Sequence, residues 1–113
     1  PKLVGETTQG ENYDLVAHLH ERILATSPVG IAQALHGLGT RADSRETLAD
    51  IQVPTLVVVG EEDVLTPPAE AESMAGAIAD SRLEVIPRAG HLSNLENPTA
   101  YHAVLGRFLD SMP

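Results

Sequence analysis

Apolar positions in the second half of the chain alternate between strand-like runs and a helical stripe. Residues 55–59 form a continuous run rich in β-branched side chains, which is typical of a strand covered on both faces. The stripe that follows recurs at helical spacing and consists of Ala71, Met74, Ala75 and Ile78. A second β-like run contains Leu83, Val85 and Ile86. The pattern therefore predicts a strand–helix–strand unit, with no β-rich segment before Pro54.

The first half of the chain has the spacing of amphipathic helices. One stripe, flanked by Val16 and Leu24, repeats every four residues at Leu15, Leu19 and Ile23. A second stripe ends near Gly39 and consists of Ile31, Leu35 and Leu38. A short turn through Leu48, capped by Asp43 or Ser44, completes this half.

Three polar–proline pairs predict where helices begin, because a polar cap followed by proline is typical of a first helical turn. The pairs are Ser27-Pro28, Thr66-Pro67 and Asn97-Pro98. The last pair opens a helix whose inward positions are predicted to be Tyr101, Val104, Leu105 and Phe108.

Two chemically active residues follow the two predicted strands: Asp63 after the first and His91 after the second. Strands joined by a crossover helix run parallel, so both carboxyl ends lie at one edge of the sheet, where ligands bind in open α/β sheets. Adjacent strands lie about 4.8 Å apart. The two side chains are therefore expected within hydrogen-bond reach, with Asp63 fixing the tautomer of a His91 general base.

Composition excludes several function classes. The chain has 113 residues, 42% hydrophobic, a net charge of -9 and only 3% aromatic residues. These values disfavour nucleic acid and anionic membrane surfaces as partners, and there is no apolar run long enough to span a bilayer. The chain has no cysteine, which excludes thiolate metal sites and a cysteine nucleophile and fits a cytoplasmic protein.

The two predicted strands are too few for an independent sheet. Parallel sheets need covering on both faces, and even two-stranded hairpins are marginally stable. We therefore expect the chain to be the C-terminal part of a longer parent protein. By itself it should self-associate or pair with the missing N-terminal part.

Two segments resemble the α/β-hydrolase fold family, most nearly its 3-oxoadipate enol-lactonase and esterase-like branch. Residues 51–63, followed by Thr66-Pro67-Pro68, resemble the acid-bearing segment of these enzymes, and residues 89–98 resemble their histidine segment. The resemblance implies an α/β fold in which residues 1–50 are a helical lid remnant and link. Residues 51–113 would then be the last two parallel strands of the core with their flanking helices. It also implies catalysis by a Ser-His-Asp triad, with Asp63 and His91 as its acid and base.

The chain departs from the family in lacking a Gly-x-Ser-x-Gly nucleophile elbow. Ser27 and Ser44 precede Asp63 but have no flanking glycines. Ser73 follows the acid and falls within a predicted helix, so it fails on order and on context. The nucleophile and the main oxyanion-hole donors are therefore expected upstream, and the 113 residues alone are expected to be inactive.

Other polar residues near the site keep less specific interpretations. Glu61 and Glu62 are rival acids whose default role is that of solvated turn residues, and either would raise the pKa of Asp63 by like charge. Glu96 either hydrogen-bonds the histidine loop or serves as a solvated or capping residue. The remaining histidines are interpreted as surface or packing residues, without a metal site: His18, His20, His36 and His102.

The resulting function prediction is a serine-type hydrolase of an ester, lactone or similar bond, acting on a small-molecule substrate without a cofactor. A cofactor-free haloperoxidase or a carbon–carbon-bond hydrolase would use the same triad. The alternative is a non-catalytic receptor-like binding module, or a half-domain that associates with another chain. An intact nucleophile elbow in the parent would favour the enzyme, and a degenerate elbow would favour the receptor.

Overall fold

Helices occupy the chain up to the first strand. A computed structural model describes residues 2–112. Its elements before the first strand are α1 (Glu6–Glu11), α2 (Tyr13–Ala25), α3 (Pro28–Thr40) and a 3-10 helix (Arg45–Asp50). Helices α2 and α3 follow the two stripes predicted from the sequence, whereas α1 has no apolar stripe of its own and was not predicted.

The second half forms the predicted strand–helix–strand unit and ends in two helices. Its elements are β1 (Thr55–Gly60), α4 (Pro68–Ala77), β2 (Ser81–Ile86), α5 (Ser93–Glu96) and α6 (Pro98–Asp110). Strands β1 and β2 pair in parallel, with a register that runs from Thr55 opposite Ser81 to Gly60 opposite Ile86. Their carboxyl ends therefore lie side by side, as predicted.

Two of the three predicted helix starts are confirmed by their capping bonds. The Ser27 side chain accepts from the Gly30 N–H at 3.4 Å, and the Asn97 side chain accepts from the Ala100 N–H at 3.2 Å. The third prediction is wrong by one residue, because α4 has Pro67 as its N-cap and begins at Pro68. Thr66 makes no capping bond there.

The core lies between β2 and α6. Ile86 and Ala89 are fully buried, Val104 is nearly so, and Leu56, Val58, Ala100 and Tyr101 pack against them. The inward position predicted for Leu105 is wrong, since 36% of that residue is exposed.

Helices α2 and α3 contain no buried residue in the described part of the chain. The predicted α3 stripe is open to solvent, with Leu35 63% and Leu38 60% exposed, whereas Leu15 and Leu19 of the α2 stripe are half-buried. The local pattern therefore specifies the helix correctly without specifying what covers it. No helix within residues 2–112 is both long and apolar enough to cross a membrane.

Candidate active site

Asp63 and His91 meet beyond the ends of the two strands. His91 Nδ1 lies 2.9 Å from Asp63 Oδ2, which confirms the contact predicted from the sequence. The Asp63 side chain is 4% exposed and the His91 side chain is 36% exposed. With a carboxylate on Nδ1, the proton of the neutral imidazole is held on Nδ1, and Nε2 carries the lone pair.

The Asp63 carboxylate is surrounded by donors from the turn that follows it. Its Oδ1 accepts from the N–H groups of Leu65 at 2.9 Å and Thr66 at 3.0 Å, and its Oδ2 accepts from the Thr66 hydroxyl at 2.9 Å. Burial raises the pKa of Asp63, but the hydrogen bonds from Thr66, His91 and Leu65 outweigh it and hold the pKa below its ordinary value. The carboxylate is therefore ionised throughout the neutral range.

Thr66 has a different role from the helix cap predicted for it. Its hydroxyl bonds Asp63 Oδ2 and also lies 3.2 Å from His91 Nδ1. The threonine thus touches both members of the acid–base pair. A cap-plus-proline pattern in the sequence cannot distinguish this use of the hydroxyl from capping.

Glu96 binds the backbone on both sides of His91. Its Oε2 accepts from the Gly90 N–H at 2.9 Å, and its Oε1 accepts from the Leu92 N–H at 3.0 Å. The same Oε2 also accepts from the Gly5 N–H at 2.7 Å and the Thr8 hydroxyl at 2.8 Å. Of the roles considered from the sequence, the structure therefore shows the bond to the histidine loop, and it adds a link to α1.

The two glutamates before Asp63 hold neighbouring backbone. Glu62 accepts from the Thr7 N–H at 2.9 Å and from its hydroxyl at 2.5 Å, while Glu61 accepts from the Arg88 N–H at 3.1 Å. Arg88 has a φ of 56°, in the left-handed region, in the turn that leads to His91. Both glutamates lie in the turn after β1, and Glu61 is exposed, as expected, but each also accepts hydrogen bonds from another segment. The pKa of Asp63 is lowered rather than raised.

Close backbone approach joins the two loops that carry the acid and the base. A Cβ atom on Gly60 would lie 2.1 Å from the Gly90 carbonyl oxygen and 2.3 Å from that of Ala89. A Cβ atom on Gly90 would lie 2.4 Å from the Gly5 nitrogen. Both positions therefore require glycine for space.

A cavity of about 410 Å³ opens beside the acid–base pair. Asp63 and His91 border it together with apolar side chains that include Val57, Leu65 and Met74. A neighbouring cavity of about 520 Å³ shares Met74 with it and is lined in part by residues of the α3 end and the 3-10 helix. The acid–base pair is thus open to a small molecule with apolar parts.

The remaining candidate residues lie away from the pair. His18, His20, His36 and His102 are exposed on helices, as interpreted from the sequence. Ser73 lies within α4, as predicted, and borders the neighbouring cavity. Within residues 2–112 there is no group of three or more His, Cys, Asp or Glu side chains that could hold a metal ion.

Comparison with known proteins identifies the family. A family profile described as alpha/beta hydrolase fold matches residues 11–98, which is more than half of the chain. The chain belongs to the α/β-hydrolase fold family. The fold class and the family resemblance predicted from the sequence are both confirmed.

Relatives of this α/β-hydrolase-fold chain include enzymes that act on lactones and esters. It is 34% identical over 102 residues to 3-oxoadipate enol-lactonase 1 of Acinetobacter baylyi, covering 90% of this chain and 38% of the relative. It is 34% identical over 86 residues to a pimeloyl-[acyl-carrier protein] methyl ester esterase of Neisseria meningitidis, covering 76% of this chain and 27% of the relative. The chain thus spans well under half the length of these relatives.

A solved esterase has nearly the same structure over the shared part. The thermophilic esterase from Thermogutta terrifontis, in a malate-bound form, superposes with a TM-score of 0.92 at 36% sequence identity. The match covers 97% of this α/β-hydrolase-fold chain and 40% of the esterase. The helices with their open apolar faces are therefore part of the shared fold.

Proposed function

We propose that this chain supplies the acid and the base of a serine-type hydrolase that cleaves an ester, a lactone or a similar bond. The observation that carries the proposal is the bond from His91 Nδ1 to the buried Asp63 carboxylate at the carboxyl ends of two parallel strands. The esterase and lactonase relatives support this reaction class. In this proposal residues 1–50 form the lid and link, and residues 51–113 belong to the core.

The proposed mechanism uses a serine from the part of the parent protein outside these 113 residues. As the serine oxygen attacks the substrate carbonyl, His91 Nε2 takes its proton, and Asp63 stabilises the imidazolium. His91 then gives the proton to the departing alcohol oxygen, which leaves an acyl-enzyme. A water molecule releases the acid product by the same two proton transfers. No cofactor enters these steps.

The environment of Asp63 suits this mechanism. Its lowered pKa keeps the carboxylate charged at neutral pH, so it can stabilise positive charge on His91 throughout the reaction. The partly exposed imidazole borders the cavity, and its Nε2, which does not bond Asp63, would meet the serine and substrate there. The apolar cavity wall favours small esters or lactones with apolar parts.

The test compares two histidine substitutions in the full-length parent, assayed with p-nitrophenyl acetate. His91→Ala should abolish turnover, because the serine loses its base. His20→Ala, which changes an exposed histidine on α2, should leave turnover near that of the parent. Near-normal hydrolysis by folded His91→Ala would refute the assigned role.

A covalent label separates the enzyme from a receptor-like module. A fluorophosphonate reagent, which phosphonylates activated serines with loss of fluoride, should label the parent and should fail to label His91→Ala. A parent that binds small molecules but neither reacts with the reagent nor hydrolyses esters would favour the receptor.

A further inference from the structure

One carboxylate accepts hydrogen bonds from the backbone N–H groups of both residues that flank His91. Glu96 accepts from Gly90 N–H through Oε2 and from Leu92 N–H through Oε1, at 2.9 and 3.0 Å. Hydrogen bonds to an ionised acceptor are roughly twice as strong as neutral ones. The histidine backbone is therefore fixed on both sides by one side chain, which lies five residues further along the chain at the end of α5.

The same carboxylate reaches a distant segment of the chain. Gly5 N–H and the buried Thr8 hydroxyl both donate to Oε2, so α1 is fastened to the histidine loop at the atom that also holds Gly90. Glu62 fastens α1 independently through Thr7. Two roles are thus separable: docking of α1, which Glu96 shares with Glu62, and fixing of the histidine loop.

We propose that Glu96 is a positioning residue that aims the His91 imidazole at Asp63 and at the reacting serine. The inference rests on the proposed function for its catalytic consequence. Asp63 holds one ring nitrogen of His91, but the direction of Nε2 also depends on the backbone from which the side chain starts. Glu96 sets that backbone, and it does so without touching the ring.

The decisive variants differ in which bonds they remove. Glu96→Gln replaces one acceptor oxygen with an amide donor, so either the Leu92 N–H or the group of donors at Oε2 loses its acceptor. Thr8→Val is nearly isosteric and removes one bond between Glu96 and α1, while both bonds to the histidine loop remain. Each is made in the full-length parent.

Kinetics should separate the two roles. Glu96→Gln should lower kcat by about tenfold or more with little change in KM, since one charge-assisted bond is lost beside the base. Thr8→Val should keep kcat within about twofold of the parent, because both bonds from the histidine loop to Glu96 remain. If the two variants lose kcat equally, Glu96 acts only through the docking of α1 and the proposal is overturned.

A spectroscopic readout keeps this test independent of turnover. The proton that His91 Nδ1 shares with Asp63 should give a downfield proton resonance, absent in His91→Ala. It should persist in Thr8→Val and shift or broaden in Glu96→Gln. An unchanged resonance and unchanged kcat in folded Glu96→Gln would overturn the positioning role. If the resonance behaves as expected but the parent hydrolyses no ester, the positioning role of Glu96 stands and only the proposed reaction is refuted.

If Glu96→Gln fails to fold, Glu96→Asp replaces it in the test, and we expect the same fall in kcat and the same change in the resonance. It keeps the charge but withdraws the carboxylate by one methylene group, so the bonds to both flanking N–H groups cannot all be kept. An unperturbed resonance and kcat in that variant would likewise contradict the proposal.

Discussion

At the scale of single residues, the Asp63 carboxylate is hydrogen-bonded through both of its oxygens. It is almost fully buried, yet it accepts from Leu65, Thr66 and His91. A buried charge is tolerated when hydrogen bonds replace its hydration, and these bonds also fix its direction. The histidine therefore meets an acceptor that is already oriented.

Replacing this carboxylate by an amide should remove most of the activity. In Asp63→Asn the side chain can donate to His91 Nδ1, which favours the tautomer with the proton on Nε2. We expect kcat of the parent to fall by a factor on the order of 10⁴, the size of the effect in a serine-protease triad. Ester hydrolysis and circular dichroism would measure activity and fold; a loss below tenfold in a folded variant would contradict the role.

The lowered pKa of Asp63 predicts a specific loss of stability in acid. Since the folded pKa lies below the unfolded value of about 3.9, folding favours the ionised form. This stabilisation is fully present above the unfolded pKa and is lost as pH falls through the folded pKa. Urea unfolding should be measured for the parent and for Asp63→Asn from about pH 6 to about pH 3. The free energy of unfolding should fall more steeply with decreasing pH in the parent than in the variant. Parallel pH dependence in the two proteins would contradict this.

The residues that the sequence predicts correctly at the site are those placed by strand ends. Asp63 and His91 follow apolar runs, so parallel pairing alone brings them together. The roles of Thr66 and Glu96 depend on side-chain contacts with other segments, such as the bond that the Gly5 N–H donates to Glu96 across most of the length of the chain. Spacing and capping patterns describe neighbouring residues and do not predict contacts between distant segments.

At the scale of elements, the two strands are joined beyond their ends by the loops of the site. Backbone bonds continue the pairing past the ladder, from Glu61 N–H to the Ile86 oxygen and from Glu62 N–H to the Ala89 oxygen. Hydrophobic spacing predicted the strands and most helices because each has its own pattern. Helix α1 was missed because it is held by polar bonds to Glu62 and Glu96.

The glycine at the end of β1 should be intolerant of any side chain. Gly60→Ala places a methyl group against two backbone oxygens and should destabilise the parent by about 1–3 kcal/mol, as overpacking does. Gly76→Ala lies in α4 with open space around it and should stabilise by about 0.5–1 kcal/mol. Urea unfolding measures both. Equal stabilities of the two variants would contradict the prediction and show that the loops around Gly60 can move to admit the methyl group.

At the scale of the whole molecule, many large apolar side chains of the helices are left exposed. Helix α3 and the end of α2 around Leu24 are exposed, and one edge of β1 has no partner strand within residues 2–112. The spacing of apolar residues predicted these helices but not the elements that pack against them. The relatives are far longer than this chain, and the parent protein is proposed to supply that cover.

The 113 residues expressed alone should therefore self-associate. Open strand edges template pairing with other chains, and apolar helix faces add to the attraction. Sedimentation velocity at micromolar concentration should show dimers or larger species, and the chain should not hydrolyse p-nitrophenyl acetate. A compact monomer with cooperative unfolding would refute this expectation.

The bonding between the acid and histidine loops has a consequence for folding. Both loops belong to one β1–α4–β2 unit, and the backbone bond from Glu62 to Ala89 ties them together. Residues that open and close together form a single foldon. The amides of Glu62 and Gly90 should then exchange their hydrogens for deuterium at similar rates, whether or not the nucleophile is present. The acid and the base would then open and close as one cooperative unit.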